Sequence, residues 1–188
     1  MPVIDSSNVV IRLAYPQDRQ EIVQLETLAM HSLCQDNYDI ERIDELAQKI
    51  PLLRFSDEIV VVAEQGRNIV GFASLLSDRK ILRTLYVQPG DIPKNLDSQL
   101  LCAIEQEAIK QNINTLQVTS SLPEKAFYDS QGYQEVGLCN LAKMDTLVPG
   151  VAMQKKLKGS FFRHSNFNYG LSIITATIPN ALFLLLLL

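Results

Sequence analysis

The chain contains, at residues 82–111, a strand, a turn and a helix that together could hold a phosphate. This segment reads LRTLYVQPGDIPKNLDSQLLCAIEQEAIKQ. Leu85, Tyr86 and Val87 predict a buried strand, and the proline and glycine that follow predict its end. The first amides of the next helix have no partner inside that helix, and the helix dipole favours an anion there. The apolar face of this helix is formed by Leu100, Leu101, Ile104 and Ala108.

The residues of the turn affect how well it could bind a phosphate. Lys94 is a single cation between two aspartates, of which Asp97 is the second. Pro93 has no amide hydrogen, and the side chains of Asn95 and Leu96 add bulk where glycine would let the backbone approach an anion. In an exposed loop each carboxylate repels a polyanion by only about 1 kcal/mol. Asp97 could instead cap the helix, a structural use that needs no ligand.

The remaining patterns predict one mixed central β-sheet flanked by helices on both faces, which is an α/β fold. An alternating pattern and several β-branched runs predict strands at 8–14, 59–63, 69–76, 82–88, 116–119, 133–139 and 151–157. The second and third of these form a hairpin around the turn at 65–68. Besides the long helix, helical spacing predicts helices at 16–30 and 39–50 and a short one from Pro123 that ends at Gly132.

The sequence LYVQP, followed by LL and then AIEQEA, resembles the central motif of the GNAT superfamily of acetyl-CoA-dependent acyltransferases. The flanking segments occur in the same order, with NVVIRLAYPQD before the motif and LPEKAFYDSQGY after it. The resemblance covers roughly residues 8–158 and implies a single GNAT-like domain at residues 1–158. It also implies acetyl-CoA as the cofactor and an amine of a small molecule or peptide as the acceptor.

The resemblance further implies which residues contact acetyl-CoA. The main chain of Leu85–Val87 would pair with the pantetheine arm, as an extended amide chain pairs with a strand edge. The pyrophosphate loop of the superfamily follows the pattern Q/R-x-x-G-x-G/A, which aligns with residues 92–97, where no glycine occurs. We therefore expect weak cofactor binding, and a non-catalytic domain that senses a cofactor or binds a protein is the alternative. The expected contacts are Leu85, Tyr86, Val87, Ile92, Lys94, Asn95, Leu96 and Asp97.

The resemblance places the catalytic acid at Tyr128, within AFYDSQGY. A phenol has an ordinary pKa of ~10, close enough to that of a thiol to return a proton to a departing thiolate. In the alternative interpretation, Phe127 and Tyr128 are only the apolar face of a short helix. No carboxylate occurs in the strand at 82–88, so Glu26, His31 or a chain of water molecules could serve as the base.

The two helices at 16–30 and 39–50, with the link at 31–38 between them, would form a flap beside the sheet. In proteins similar to this one the flap shapes the acceptor pocket, which implies substrate contacts for His31, Ser32 and Tyr38. Alternatively, His31 only caps the C-terminus of the first helix, where a cation is favourable.

Composition limits the possible partners and the compartment. The 188 residues carry a formal net charge of −4, so the chain lacks the basic surface that non-specific nucleic-acid binding requires. Its three cysteines are widely spaced and only two histidines accompany them, which favours reduced thiols in a cytoplasm over a metal site. The N-terminal sequence does not resemble a secretory signal.

The C-terminal segment, residues 159–188, has a different composition from the domain. Residues 171–188 read LSIITATIPNALFLLLLL and contain no charged side chain. A helix of this length, at about 1.5 Å per residue, approaches the ~30 Å hydrocarbon thickness of a bilayer. Basic residues precede it, which predicts a membrane anchor with the domain in the cytoplasm: Lys155, Lys156, Lys158 and Arg163. Pro179 and Asn180 interrupt the segment, and an aberrant end without a role is the alternative.

Overall fold

The computed structural model describes residues 9–34, 58–90, 93–143 and 146–157. They form an α/β domain around a seven-stranded sheet with the order β1-β2-β3-β4-β5-β7-β6. The strands are β1 Val9–Leu13, β2 Glu58–Gln65, β3 Asn68–Leu76, β4 Ile81–Val87, β5 Thr115–Ser121, β6 Gln134–Lys143 and β7 Thr146–Lys156. The helices are α1 Arg19–Cys34, which follows a 3-10 turn at Pro16–Asp18, α2 Leu96–Lys110 and α3 Lys125–Ser130.

The sheet is mixed, as the sequence predicts. Neighbouring strands pair in antiparallel fashion except β4 and β5, which are parallel and are connected by α2. The hairpin between β2 and β3 turns at Gly66, whose φ of 69° lies in the left-handed region that glycine adopts without strain. Gly132, with a φ of 86°, follows the end of α3 as predicted.

Helices cover both faces of the sheet. On one face, α2 and α3 pack on a core that includes Ala73, Leu82, Leu100, Ile104, Leu116, Tyr128, Tyr133 and Met153. On the other face, Ile22 and Leu25 of α1 pack against strand residues Val60, Val62, Ile69 and Phe72. This division lets one strand, β4, present alternate side chains to two separate helical layers.

A buried ion-pair network fixes the start of α1 to the sheet. The Arg12 guanidinium donates hydrogen bonds of 2.6 and 3.0 Å to Asp18 and one of 2.7 Å to Glu64. The bond to Asp18, more than any other contact, holds the pKa of Arg12 above its ordinary value despite burial. The Asp18 carboxylate also accepts a 2.6 Å bond from the amide of Tyr15. One turn later, Glu21 accepts a 3.0 Å bond from the amide of Ile69, which ties α1 to β3.

Gly71 of β3 lies beside both β4 and α2. A Cβ atom at this position would lie 2.9 Å from the carbonyl oxygen of Tyr86 and 3.1 Å from Cδ1 of Leu100. Real Cβ atoms almost never make such short contacts, so a glycine is needed for α2 to pack on β3 beside β4.

The described elements agree with the predicted order, and most boundaries differ by a few residues. Two differences are larger. Helix α1 continues to Cys34, so the link predicted at 31–38 begins inside the helix, and the strands predicted at 133–139 and 151–157 extend towards each other as β6 Gln134–Lys143 and β7 Thr146–Lys156. The helix predicted at 39–50 and the apolar segment at 171–188 lie outside the described residues. Among the described helices, none has the length and apolar character needed to cross a bilayer.

Candidate active site

The two parallel strands β4 and β5 stay together over a short distance and then separate. They are paired at Ile81 with Gln117 and at Leu82 with Val118. Beyond Leu82, β4 carries one extra residue relative to β3, because Ser74 pairs with Thr84 while Leu75 pairs with Leu82. Such a bulge bends a strand and increases its twist. Beyond Leu82, the edge of β4 that faces β5 is not paired with β5, and the gap between the two strands is called the cleft below.

The N-terminus of α2 follows a residue with an unusual backbone conformation. Asn95 is the residue before the helix and adopts a φ of 64° and a ψ of 25°, a left-handed conformation. Asparagine tolerates this conformation better than other residues that carry a side chain. In the alignment expected from the sequence, Asn95 stands at the first glycine of the family loop, and its left-handed conformation is one that glycine adopts without strain.

The structure places the predicted loop residues in different environments. Lys94 and Asn95 are exposed, Asp97 is half-buried, and Ile92 lies outside the described residues. The Leu96 side chain is buried in the core, so only its backbone can face a ligand. The predicted cap at Asp97 is wrong, because α2 begins at Leu96. The Asp97 carboxylate instead accepts a 2.7 Å bond from the amide of Ser98.

Leu85, Tyr86 and Val87 lie on the stretch of β4 that has separated from β5. Their inner edge pairs with β3, through the pairs Leu85 with Ala73, Tyr86 with Phe72 and Val87 with Gly71. Leu85 and Val87 pack on the side of α2, whereas the half-buried Tyr86 packs on the side of α1. Burial raises the pKa of Tyr86, so its phenol stays neutral. The main-chain edge facing β5 thus lacks a β5 partner at all three residues.

Tyr128 lies on α3, in the same core cluster against which Leu85 and Val87 pack. Its side chain is buried, and its ring meets those of Phe127 and Tyr133 edge to face at 5.1 and 5.5 Å. Burial, and secondarily the negative charge of Glu124, raise the pKa of Tyr128 well above its ordinary value. The phenol therefore keeps its proton at neutral pH, as a proton donor must. Tyr128 is thus both a core residue and a candidate acid.

The Tyr133 ring packs against the Tyr128 ring and lies beside an ion pair. The Lys155 ammonium donates bonds of 2.7 and 2.9 Å to the two oxygens of Glu105, and it lies 5.5 Å from the centre of the Tyr133 ring. The Tyr133 hydroxyl is buried and, among the described residues, lies outside hydrogen-bond geometry with any acceptor, although the Glu105 carboxylate is near. Burial first, and then Glu105, raise the pKa of Tyr133.

Polar side chains lie on the α1 face of the sheet beside the β4 bulge. The Arg83 guanidinium of β4 forms an ion pair with Glu58 of β2, whose side chain is only 3% exposed. Ser74 lies between these strands, opposite Thr84, and its buried hydroxyl finds no hydrogen-bond partner within the described ranges. Sequence reasoning missed Glu58, because it lies 25 residues from Arg83 in the chain.

The candidate acceptor residues are placed only in part. His31 and Ser32 lie in the last turns of α1, where the structure describes the backbone but not these side chains, and Tyr38 lies outside the described residues. Glu26 lies on the half of α1 that covers the sheet, with one buried carboxylate oxygen. Within the described part of the chain, no three His, Cys, Asp or Glu residues are grouped as a metal site would require.

The chain thus has an α/β fold with a mixed sheet, in which the parallel strands β4 and β5 separate beside the N-terminus of α2. The family described as "Acetyltransferase (GNAT) domain" matches residues 34–157, about two thirds of the chain. The chain belongs to this family. Curated protein sequences give no match.

Solved structures of GNAT acetyltransferases share the fold. A GCN5-related N-acetyltransferase from Rhodopseudomonas palustris is 22% identical, with a TM-score of 0.67, over 84% of this chain and 99% of its own. The PaiA N-acetyltransferase from Thermoplasma acidophilum, in complex with coenzyme A, is 17% identical, with a TM-score of 0.63, over 79% and 99%. An aminoglycoside 6′-N-acetyltransferase complexed with coenzyme A is 15% identical, with a TM-score of 0.58, over 80% and 98%.

The buried Tyr133 hydroxyl generates a prediction about alkaline stability. Because the pKa of Tyr133 is raised in the fold, its stabilising effect is complete below the ordinary pKa of ~10 and declines as the pH rises above it. We expect Tyr133→Phe to change the free energy of unfolding by less than about 1 kcal/mol at neutral pH, since no hydrogen bond to a described residue is lost. Above about pH 10 the variant should lose less stability than the parent. Denaturant titrations of the parent and the variant at pH 7 and above about pH 10 test this. An equal loss of unfolding free energy in both proteins at the higher pH would contradict it.

Proposed function

We propose that the protein transfers an acetyl group from acetyl-CoA to an amine of a small molecule or peptide. The observation that carries this proposal is the separation of β4 from β5 after Leu82, with the N-terminus of α2 at the end of the cleft. An extended amide chain that ends in phosphates fits such a cleft, because it can pair with a strand edge and place its anions at a helix N-terminus.

The backbone of β4 and of the start of α2 suits acetyl-CoA, whereas the charges beside it suit the phosphates less well. The main chain of Leu85–Val87 offers an edge that β5 does not occupy, and the left-handed Asn95 turns the chain into the first amides of α2. Lys94 would supply a cation, whereas Asp97 adds a negative charge in the first turn of α2. When bound, acetyl-CoA supplies the acetyl group as a thioester, whose sulfur needs a proton as it departs.

Tyr128 would hold that proton. Its raised pKa keeps the phenol protonated throughout the physiological range, so the acid form is present before each turnover. The same raised pKa makes the proton harder to release, which means that the phenol must lie close to the departing sulfur. Contact of Tyr128 with the cluster that includes Leu85 and Val87 supports a position beside the cleft.

The acceptor amine would enter from the α1 face. His31, Ser32 and Tyr38 would contact it there. On this face the Glu58 carboxylate and the hydroxyls of Ser74 and Thr84 lie beside the bulge of β4. Because the Glu58 carboxylate already forms an ion pair with Arg83, it would contact an acceptor rather than abstract its proton. The aminoglycoside 6′-N-acetyltransferase with the same fold is named for an acceptor that carries amines.

We expect Tyr128→Phe to lower kcat by about 100-fold with little change in the KM for acetyl-CoA, because the variant loses the proton donor and keeps the packed ring. Steady-state kinetics across a pH series measure both constants. Tyr133→Phe is the matched control, since it removes a neighbouring buried hydroxyl without removing the proposed acid. Equal loss in both variants would leave Tyr128 with a packing role only.

A domain that binds the cofactor without catalysis is the second candidate, and the loop favours it. Pro93 removes an amide, and Asp97 places a carboxylate where phosphates would lie. Such a domain would bind acetyl-CoA and respond to it, yet give no acetylated amine. Calorimetric titration with acetyl-CoA, followed by assay against a panel of amines, separates the two functions.

We expect Asp97→Asn to tighten acetyl-CoA binding several-fold, because removal of a repulsion of ~1 kcal/mol corresponds to roughly a factor of five in Kd. The amide can still accept the bond from Ser98, so α2 should keep its first turn. Asp78→Asn is the matched control, since it removes the same charge from the turn between β3 and β4, at the opposite end of β4. Equal effects of both variants, or none, would show that the N-terminus of α2 is not used.

The compartment is also part of the proposal. We infer a cytoplasmic domain at residues 1–158 that residues 159–188 hold to a membrane. The support is the composition of this segment, with 18 uncharged residues after a basic cluster. Exposure of so much apolar surface to water would be unfavourable at ~25 cal/mol per Å².

The full chain should therefore sediment with membranes and resist extraction by alkaline carbonate, whereas a chain that ends at Lys158 should stay in the supernatant. Fractionation followed by immunoblotting measures both. If the full chain stays in the supernatant, the segment is covered by the protein itself or by a second copy, and the anchor is wrong.

A further inference from the structure

Strand β6 forms one edge of the sheet. It is last in the strand order, and within the described residues it pairs with β7 and with no other strand. In an antiparallel strand every second residue points its amide and carbonyl away from its neighbour. The outer side of β6 therefore carries a row of backbone donors and acceptors that a further strand could satisfy.

The hairpin of β6 and β7 also extends beyond the rest of the sheet. Pairing of β5 with β7 ends at Ser121 with Gly150, whereas pairing of β6 with β7 continues to Lys143 with Thr146. At its far end the hairpin is thus a two-stranded ribbon, as far as the described residues show. Two-stranded ribbons are only marginally stable in water unless a third strand or another layer supports them.

The side chains on β6 do not include the features that usually prevent an edge strand from pairing with another strand. Leu138 is 82% exposed and Val136 is 54% exposed, the two highest values among the large apolar residues of the described chain. Edge strands that must stay single usually carry charges, prolines or bulges. A bulge at Val136 interrupts the first part of β6, but the following GLCNLA stretch has none of these features before Lys143.

The charges at the ends of β6 complement each other in one orientation. Glu135, which also forms an ion pair of 3.6 Å with Lys125 of its own chain, lies near the start of β6, and Lys143 lies at its end. When two copies of the strand pair in antiparallel fashion about a two-fold axis, the acidic end of each strand faces the basic end of the other. The opposite, parallel arrangement would place like charges together, which destabilises cross-strand pairs.

We propose that two copies of the chain associate through their β6 strands, in antiparallel pairing about a two-fold axis, and that Leu138 is buried in this contact. The partner is a second copy of this chain, because one strand supplies both the unsatisfied edge and the complementary charges. An isologous contact of this kind closes on itself, so it yields a dimer rather than a fibre. The two seven-stranded sheets become one continuous sheet.

The test is the molar mass of the full chain, measured by sedimentation in one fixed detergent over a range of concentrations. The parent should have about twice the 21.1 kDa mass of the chain. Leu138→Lys should raise the dissociation constant of the dimer at least about tenfold, because it places an ammonium in an apolar contact. Val10→Lys is the matched control, since Val10 is 47% exposed on the other edge strand, β1, and this variant should associate like the parent.

A charge exchange tests the orientation. Lys143→Glu should weaken the dimer, and the double variant Glu135→Lys with Lys143→Glu should restore it, because the facing charges are again opposite. A monomeric parent overturns the proposal. So does a dimer that Leu138→Lys leaves unchanged, since association would then come from the apolar segment at 171–188 or from another surface. Catalytic activity is measured separately, so its absence would not affect this result.

Discussion

The parallel contact between β4 and β5 extends over two residue pairs, and the site is arranged around this short contact. Pairing up to Leu82 and Val118 keeps the two halves of the domain in one sheet, and the bulge at Arg83 then turns β4 away. If the pairing continued, the main chain of Leu85–Val87 would be occupied and the cleft would not exist. The sheet thus gives up several hydrogen bonds at its centre, which is the kind of local irregularity that occurs next to active sites.

Packing on both sides keeps the cleft open without filling it. On one face α2 approaches β3 closely at Gly71, which sets the position of the helix N-terminus relative to β4. On the other face the Arg12 and Asp18 pair fixes α1 at its start. The helices therefore keep their positions even though β4 and β5 separate between them.

The chemistry of the site depends on burial more than on special residue types. Tyr128 is an ordinary phenol whose pKa rises because it is buried among rings, and Glu58 is an ordinary carboxylate that is buried in an ion pair with Arg83. The loop before α2 shows the same principle in its backbone, since Asn95 adopts the conformation that glycine would take.

The sequence by itself determined the strand and helix order, the hairpin at Gly66 and the family, because hydrophobic periodicity, turn residues and the LYVQP motif are local signals. The candidate acid Tyr128 also came from a local motif, and its burial agrees with the alternative interpretation of this residue as part of an apolar helix face. Only the tertiary structure showed that Glu58 pairs with Arg83, that the Leu96 side chain is buried and that Asp97 lies inside the helix. It also showed that β6 is an exposed edge of the sheet. These features depend on strand pairing and on helix starting points, which bring together residues that are far apart in the chain and therefore leave no pattern in it.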